Sequence, residues 1–407
     1  MRKIELLAPA GNLEKLKMAI MYGADAVYIG GEEYGLRASA DNFTLEQMQE
    51  GLGFAHARGK KVYLTMNIIP HNEDFEGMGN YVKEVAAIGV DAIILSDPGV
   101  FSVVKENAPN MEIHLSTQAN NTNWTSAKFW YNQGVKRIVL ARELSISEIQ
   151  EIREKTPPDL DFEIFIHGAM CISYSGRCLL SNYMAGRDAN RGECAHPCRW
   201  KYHLVEEKRP GEYMPVYENE RGTFIYNSKD LCLIEHIPEL IESGALSFKI
   251  EGRMKSAYYV ATVVKAYRDA IDAYYADPEG YQYNPQWLAE LNKASHREYT
   301  TGFYFNKPTG QDQIYHTSSY VRDYTFVGMV LEYDKETGIA KIEQRNRMFA
   351  GDEIEVVRPQ GPFFTQKIHA MKNVEGEEIT VAPNPQMVVY MPMDEAVEPY
   401  TMLRKEG

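Results

Sequence analysis

Two spacings of hydrophobic residues alternate along most of the chain. Segments with apolar residues three and four positions apart, such as Leu13, Leu16 and Ile20, predict helices with one buried face. Each is followed by a short run of β-branched and other apolar residues, which is typical of a strand buried on both sides. A glycine repeatedly ends the helical segment, as at Gly23 and Gly89. The order of helix, glycine, polar link and strand is half of a repeated βα unit.

Eight apolar segments have the length and composition of buried strands. They are Ile4–Ala8, Ala26–Gly30, Lys61–Met66, Ala92–Ser96, Glu112–Ser116, Arg137–Ala141, Phe162–Ile166 and Ser247–Glu251. The helical patterns between them include Leu45–Ala57, Met78–Ile88, Trp124–Gln133 and Ile146–Lys155. Eight units in about 250 residues match a TIM-like (β/α)8 barrel. An open doubly wound sheet is the alternative, but no glycine-rich phosphate-binding pattern follows the first strand.

The hydrophobic pattern changes towards the C-terminus. A helix is predicted at Ser256–Tyr275, and from Tyr324 onwards short alternating strands are separated by turn residues. The predicted strands are Val327–Tyr333, Ile339–Ile342, Glu353–Val357, Gln366–Ala370 and Glu378–Val381. Roughly six strands in about eighty residues predict a small closed β-barrel. We therefore assign residues 1–310 to the catalytic barrel, with a cysteine-rich insertion at 167–230, and residues 320–407 to a C-terminal β-domain.

Composition narrows the class of protein. The 407 residues are 44% hydrophobic and 25% charged, which is typical of a globular chain. The net charge of −14 argues against indiscriminate binding to nucleic acid or membranes. No run approaches the ~18 apolar residues of a membrane span, and the N-terminus lacks the apolar core of a signal peptide. We expect a cytoplasmic protein with reduced cysteines.

In such a barrel the chemistry lies at the carboxyl ends of the strands. The polar residues predicted there are Asn67, Gln118, Arg142 and Arg253, which we take as substrate-binding candidates, together with Asp97, Glu143, His167 and Glu251. His167 is either an acid–base group or a satisfied polar residue. Lys249 and Glu251 alternate to one side of the eighth strand, where they form either a structural ion pair or part of the chemistry.

Four of the five cysteines lie in the loop after the seventh strand. Cys171, Cys178, Cys194 and Cys198 are separated by six, fifteen and three residues. In a reducing compartment this clustering favours a shared metal centre over disulfides. Only the second pair has the tight spacing of a zinc hook, and the looser first pair fits an iron–sulfur cluster somewhat better; spacing alone leaves both the cluster and zinc open. Cys232 is interpreted as a core thiol, with replacement of one ligand as the alternative.

The same loop is locally basic and aromatic. Between Ile166 and Arg209 there are seven cations and four anions, a net charge of +3. Tyr174, Tyr183, Trp200 and Tyr202 are interleaved with the charges. Such a loop suits RNA, because aromatic rings stack on bases while cations contact phosphates; an ordinary solvated loop is the alternative. Arg177 and Arg199 suit phosphates or a small dicarboxylate equally well.

A peptidase is the main competing interpretation. The sequence contains neither a His-Glu-x-x-His helix nor a Gly-x-Ser-x-Gly elbow. A thiol mechanism would use Cys171 as the nucleophile, with His167 or His196 as its base. One histidine four residues from a cysteine is weak support for that mechanism.

Several segments together resemble a known family. Glu163–Cys171, followed by Gly176–Ser181, resembles the signature of the collagenase-like peptidase family U32. Arg191–Trp200 is similar to the second cysteine block of that family, and Phe248–Arg253 and Tyr299–Tyr304 also resemble family motifs. The resemblance covers nearly the whole chain.

The resemblance implies both a fold and an activity. It implies a TIM-like barrel, a C-terminal domain similar to the second domain of elongation factor Tu, and a [4Fe–4S] cluster on Cys171, Cys178, Cys194 and Cys198. Members with this C-terminal domain are implied to convert the wobble uridine of tRNA to 5-hydroxyuridine without molecular oxygen, with prephenate as co-substrate. The predicted catalytic residues are His167, Arg177, Lys249 and Glu251, and Arg199 joins the substrate-binding set. The sequence leaves open a homo-oligomer, a paralogous U32 partner, a metal- or thiol-dependent peptidase, and a zinc-stapled binding module.

Overall fold

A computed structural model describes residues 3–35, 42–171, 173–174, 177–187, 189, 194–200, 203–204, 214–215, 229–307 and 323–407. The strands before residue 308 are β1 (Glu5–Pro9), β2 (Ala26–Gly30), β3 (Lys61–Met66), β4 (Ala92–Leu95), β5 (Ile113–Leu115), β6 (Arg137–Val139), β7 (Asp161–Ala169), β8 (His203–Leu204), β9 (Met214–Pro215), β10 (Asp230–Cys232), β11 (Ser247–Ile250) and β12 (Tyr299–Thr300). The α-helices are α1 (Leu13–Met21), α2 (Leu45–His56), α3 (Met78–Ala87), α4 (Pro98–Asn107), α5 (Trp124–Asn132), α6 (Ile146–Glu154), α7 (Leu180–Ala185), α8 (Ile237–Glu242), α9 (Ala257–Ala276) and α10 (Pro285–Asn292).

Eight parallel strands close into a barrel. Strands β1 to β7 pair in chain order, and β11 pairs with both β7 and β1. The register aligns Glu5 with Ser247 and Ser247 with Glu163, so these three side chains lie at one level. The closed ladder confirms the predicted TIM-like barrel and excludes the open doubly wound sheet. Two of the eight predicted barrel strands, β2 and β3, are reproduced residue for residue.

The helices begin and end where local chemistry predicts. Helix α2 starts with a capping box, in which Gln47 N–H donates to Thr44 Oγ1 at 3.2 Å and Thr44 N–H donates to Gln47 Oε1 at 3.3 Å. Glycines follow the C-terminal ends of other helices: Gly23, after α1, has φ of 111°, and Gly89, after α3, has φ of 91°. Only glycine adopts such angles without strain, which is why it recurs at this point of the repeat.

Two elements differ from the sequence prediction. Strand β7 continues to Ala169, so His167 lies within a strand instead of after it. Cys232 lies in β10, a strand absent from the predicted set, and β10 pairs antiparallel with β7 so that Cys232 is opposite His167. A three-residue strand is too short to show a period of two, and only its pairing with the extended end of β7 defines it.

The C-terminal part of the chain is a curled antiparallel sheet. Its strands are β13 (Tyr324–Asp334), β14 (Ile339–Gln344), β15 (Met348–Phe349), β16 (Glu353–Val357), β17 (Phe364–Lys367), β18 (Met371–Lys372), β19 (Glu378–Ile379), β20 (Val381–Ala382), β21 (Val388–Pro392) and β22 (Met402–Glu406). The order in the main sheet is β17-β16-β22-β13-β14-β21-β18-β19, and β15 pairs with β20. Val327, Ile342, Val389 and Leu403 lie in its buried core. The predicted boundaries at 310 and 320 both fall outside the described residues.

The C-terminal sheet packs against the helices of the barrel. Tyr22, at the end of α1, is buried, and its hydroxyl donates to Val357 O at 2.8 Å. Arg404 of β22 is also buried and bonds to Glu290 of α10 at 2.6 Å and to Glu355 at 2.7 Å. Since these charges are paired across the contact, burial of the arginine is compensated. No helix among the described residues has the length and apolar character needed to cross a membrane.

Candidate active site

A network of buried charges fills the barrel interior. Glu163 of β7 has no solvent exposure, and its carboxylate accepts from Lys249 Nζ at 2.7 Å, from Arg137 Nη1 at 3.4 Å and from Ser247 Oγ at 3.2 Å. Burial raises the pKa of Glu163, but Lys249 and Arg137 outweigh burial and hold that pKa below its ordinary value. Glu163 is therefore an anion that bridges β6, β7 and β11.

Glu5 extends this network to the first strand. Its carboxylate contacts Arg137 at 2.5 Å, accepts from Tyr63 Oη at 2.6 Å and accepts from Ser247 Oγ at 3.0 Å. Lys249 also lies 4.4 Å from the centre of the Tyr28 ring. The acids and bases within the barrel are thus paired with one another, which favours the structural interpretation of Lys249.

Lys249 was expected beside Glu251, either in a structural ion pair or in the chemistry, and its ion pair in the structure has a different partner. Lys249 forms its ion pair with Glu163. Glu251 follows β11, which ends at Ile250, and its Oε2 accepts from Tyr28 Oη at 3.2 Å. Side-chain alternation along β11 was therefore a poor guide to the partner of Lys249, because the partner lies on the adjacent strand.

His167 faces away from the barrel interior. Between β7 and β11 the register aligns Phe165 with Lys249 and then His167 with Ile250, so Ile166 is an extra residue that turns His167 to the other face. The ring lies 5.5 Å from those of Tyr267 and Tyr299 and is 1% exposed. Burial, with smaller effects of Lys255 and His296, lowers the pKa of His167 to about 3. A neutral imidazole among tyrosines favours the satisfied-residue interpretation over an acid–base role.

The rim at the carboxyl ends of the strands brings two predicted substrate-binding amides together. Asn67, after β3, donates from Nδ2 to Gln118 Oε1 at 2.5 Å. Ser116 Oγ donates to the same oxygen at 3.4 Å. Gln118 is buried, and no partner for its Nε2 is found among the described residues. The amide pair joins the ends of β3 and β5 and offers polar groups of the kind that recognise a base edge.

Two predicted arginines lie at the same end of the barrel. Arg142 donates from Nη1 to Ala169 O at 2.8 Å, and its guanidinium lies 4.9 Å from the centre of the Phe165 ring. Arg253 is buried and donates from Nη1 to Thr65 Oγ1 at 2.9 Å. Any Cβ at Gly30 would collide with the Arg253 guanidinium, so the glycine permits this close approach. Each arginine thus follows one strand and bonds to a residue near the carboxyl end of another strand.

The remaining polar residues of the rim have identifiable roles. Asp97 caps α4, accepting from Gly99 N–H at 2.7 Å, and is therefore a structural residue. Burial raises the pKa of Glu143, and the adjacent Arg142 opposes this shift only in part. Glu143 is consequently easier to protonate than an ordinary glutamate.

The cysteine-bearing segment leaves the barrel at the end of β7 and remains attached to the rim. Cys171 is exposed, and Cys178, Cys194 and Cys198 are half-buried. Ser181 Oγ of α7 accepts from Ala195 N–H at 3.0 Å, which ties the two halves of the segment together. Arg177, exposed, donates from Nε to Asn120 Oδ1 at 2.8 Å, beyond β5. The side chain of Arg199 and all of Tyr202 lie outside the described residues.

The donor set fits a metal centre in kind. All five cysteines of the chain are among the described residues and carry thiols instead of disulfides. Four thiols on one segment match the ligands of a [4Fe–4S] cluster or of structural zinc. Within the described residues, no group of three or more His, Cys, Asp or Glu side chains has the arrangement needed to hold a metal ion. Convergence of the four thiols on one centre therefore stays a prediction.

Cys232 has a different environment from the other four cysteines. It is buried in β10, with its Sγ 3.8 Å from Tyr267 Oη. Burial raises the pKa of the Cys232 thiol to about 12. This agrees with a core thiol, because a metal ligand has to be a thiolate.

Alkylation should separate Cys232 from the rest. In metal-free folded protein at pH 8, we expect iodoacetamide to modify Cys232 about 1000-fold more slowly than an ordinary thiol of pKa ~8.5, because the thiolate is the nucleophile. Its rate should rise with pH towards 12. Peptide mass spectrometry over time gives the rates, and labelling in urea, where all five cysteines should react alike, is the control. Labelling of folded Cys232 as fast as Cys171 would contradict this environment.

Sequence reasoning missed several residues that position the site. Asn120, which holds Arg177, has φ of 51°, a left-handed conformation that asparagine tolerates. Tyr304 is buried and donates from Oη to Phe165 O at 2.6 Å. The aromatic motif Tyr299–Tyr304 was visible in the sequence as a family-like segment, but its attachment to β7 was not. The Asn120 contact had no sequence signal.

Comparison with known proteins places the chain among related sequences. Residues 11–314 match the model "Peptidase family U32", and residues 322–404 match "Peptidase family U32 C-terminal domain". The tRNA hydroxylation protein P1 of Bacillus subtilis is 47% identical over 99% of this chain and 95% of its own length. The 23S rRNA 5-hydroxycytidine C2501 synthase of Escherichia coli is 39% identical over 67% of this chain and 40% of its own length. A protein named Collagenase from Porphyromonas gingivalis is 33% identical over 97% of this chain and 96% of its own length.

Proposed function

We propose, from the premise that this chain belongs to peptidase family U32, that it is an enzyme that hydroxylates a base of tRNA. The similarity to the Bacillus subtilis tRNA hydroxylation protein carries the proposal, because it extends over nearly the full length of both chains. The Escherichia coli relative, by its name, makes a hydroxylated pyrimidine in another RNA. Two relatives are thus named for hydroxylation of an RNA base, and the one with the higher identity to this chain is named for tRNA.

The finer proposal is that the product is 5-hydroxyuridine at the wobble position, made with prephenate as co-substrate. The amides of Asn67 and Gln118 would orient the uracil, since amide groups hydrogen-bond to base edges. Arg142, Arg253 and Arg177 would bind phosphates or the carboxylates of prephenate, because guanidinium groups pair with both. The test is nucleoside mass spectrometry of tRNA from cells that lack the gene.

We further propose that Cys171, Cys178, Cys194 and Cys198 hold a [4Fe–4S] cluster. Bound there, a cluster would supply redox or Lewis-acid chemistry. The contribution of the chain itself is positional. The contact from Arg177 to Asn120 holds the cysteine segment beside the rim where the base would enter, and the bond from Ala195 to Ser181 ties the two halves of the segment together.

Iron content should depend on four cysteines and be independent of the fifth. Protein purified without oxygen is expected to be brown and to contain about four iron atoms per chain. Replacement of Cys171, Cys178, Cys194 or Cys198 by Ser should lower the iron content and the visible absorption, because each thiolate ligand is lost. The matched control is Cys232→Ser, which should keep both. Colourless protein with stoichiometric zinc would contradict the cluster and favour the zinc-stapled module.

A peptidase is the second candidate, and the Collagenase relative is the observation in its favour. The local geometry gives less support. His167, one of the two bases proposed for Cys171, is buried, and its pKa of about 3 leaves it unable to hold a proton near neutral pH. We therefore expect pure protein to leave gelatin intact. Cleavage that disappears in Cys171→Ala would reverse the ranking.

A further inference from the structure

Large apolar side chains lie in solvent on the cysteine-bearing segment. Tyr183 of α7 is 85% exposed and Leu179 is 67% exposed. Tyr174 is 46% exposed and Trp200 is 45% exposed. We call Tyr174, Leu179, Tyr183 and Trp200 the exposed aromatic surface. Clustered apolar groups of this kind usually mark an interaction site.

The exposed aromatic surface is carried by one packed unit. Helix α7 packs against the turn Pro197–Arg199, which directly precedes Trp200. Arg177 N–H donates to Tyr174 O at 3.1 Å, so the Tyr174 turn leads directly into the residues before α7. The bond from Ala195 to Ser181 joins the two sides of the unit. The four side chains therefore project from one substructure and not from unrelated loops.

Charge indicates the class of partner. Arg177 and Arg187 are both exposed on this unit. The stretch from Ile166 to Arg209 has a net charge of +3, whereas the whole chain has −14. These cations favour an acidic partner, and a nucleic-acid backbone, with one negative charge on every phosphate, has a higher density of negative charge than a protein surface. Aromatic rings interleaved with arginines are the usual means of binding unpaired RNA, in which bases stack on rings and phosphates meet guanidinium groups.

The position of the surface fits an RNA loop whose target base enters the barrel. The contact between Arg177 and Asn120 fixes the unit to the rim, next to the Asn67–Gln118 pair beyond the ends of β3 and β5. When a target base enters the barrel at the rim, the nucleotides on either side of it in the RNA stay outside, within reach of this unit. We propose that the exposed aromatic surface stacks the unpaired nucleotides that flank the target base of a tRNA loop, with Arg177 and Arg187 contacting their phosphates. This inference rests on the proposed function.

The test is the affinity of the full-length protein for fluorescently labelled tRNA, measured by anisotropy at fixed salt. Tyr183→Ala should weaken binding roughly 10-fold, since one stacked base is worth about 5- to 150-fold in affinity. Tyr183→Phe should retain wild-type affinity, because the ring is kept. Phe129→Ala is the matched control: Phe129 is 56% exposed on α5, outside this unit, and its loss should leave affinity unchanged. Unlabelled single-stranded loop RNA should compete better than duplex RNA.

The outcomes separate this inference from the proposed function. Equal affinity of Tyr183→Ala and wild-type protein would overturn the stacking role, whether or not tRNA is hydroxylated. A change in molecular mass by light scattering, without a change in tRNA affinity, would also overturn it and assign the surface to contacts between copies. Weakened binding of Tyr183→Ala would support the surface even if the wild-type protein hydroxylated no base. That last result would count against the proposed function alone.

Discussion

Transfer RNA from cells that lack this gene is expected to contain no 5-hydroxyuridine or its derivatives, and expression of the wild-type chain should restore them. The reason is the proposed identity of the enzyme, which full-length similarity to a tRNA hydroxylation protein supports. Digested tRNA is analysed by nucleoside mass spectrometry. Where the host has a second family member, both genes are removed before the comparison. Unchanged 5-hydroxyuridine in that strain would refute the proposed activity.

The same strain tests the roles of the cysteines. With Cys171→Ser the restored 5-hydroxyuridine is expected to be at least about 10-fold below the wild-type level. Cys171 is a proposed cluster ligand, and loss of a ligand should cost no less than loss of a residue that hydrogen-bonds to a ligand. Cys232→Ser is the matched control and should restore the modification, since Cys232 is a buried thiol beside Tyr267. Western blotting verifies equal protein levels. If Cys171→Ser and Cys232→Ser restore equally, the cysteine segment has no special role in the reaction.

Glu163→Met is expected to lower the free energy of unfolding by about 3–5 kcal/mol, the usual cost of removing one partner of a buried ion pair. Glu163 has no solvent exposure, and Lys249 and Arg137 would lose its carboxylate in the barrel interior. The double variant with Lys249→Met should recover more than about 1 kcal/mol, because two apolar side chains can replace a buried pair with little loss. Denaturant titration followed by circular dichroism gives both values.

The double variant also decides the role of Lys249. If it regains stability and still hydroxylates tRNA, Lys249 has a structural role in the barrel. If it regains stability but is inactive, the predicted catalytic role of Lys249 is supported. A single Glu163→Met variant as stable as wild type would contradict the network described for the barrel interior.

Acid should remove the same contribution in the wild-type protein. The folded-state pKa of Glu163 lies below its ordinary value, so the unfolded chain takes up the proton first as the pH falls. The stabilisation from Glu163 is therefore complete above the ordinary carboxyl pKa of about 4.3 and is lost as the pH falls through the lower folded-state pKa. Glu163→Met should lack this component of acid sensitivity.

Much of the candidate site could be predicted from sequence because one geometric rule governs parallel barrels. The carboxyl ends of the strands share one edge, so Asn67, Gln118, Arg142 and Arg253 were expected near one another once eight strands had been identified. The structure places these four at that edge. The rule gives no information on whether the four thiols, carried by a long insertion, converge.

The sequence by itself determined the repeated βα units, the helix ends and the strands β2 and β3, because burial on one or both faces imposes a period that each segment displays alone. Only the tertiary structure decided that Lys249 pairs with Glu163, 86 residues away, and that Arg177 meets Asn120. It also decided that one extra residue, Ile166, turns His167 outward into a cluster of tyrosines. These features depend on strand register and on contacts between distant segments, and neither can be predicted from the local spacing of hydrophobic residues.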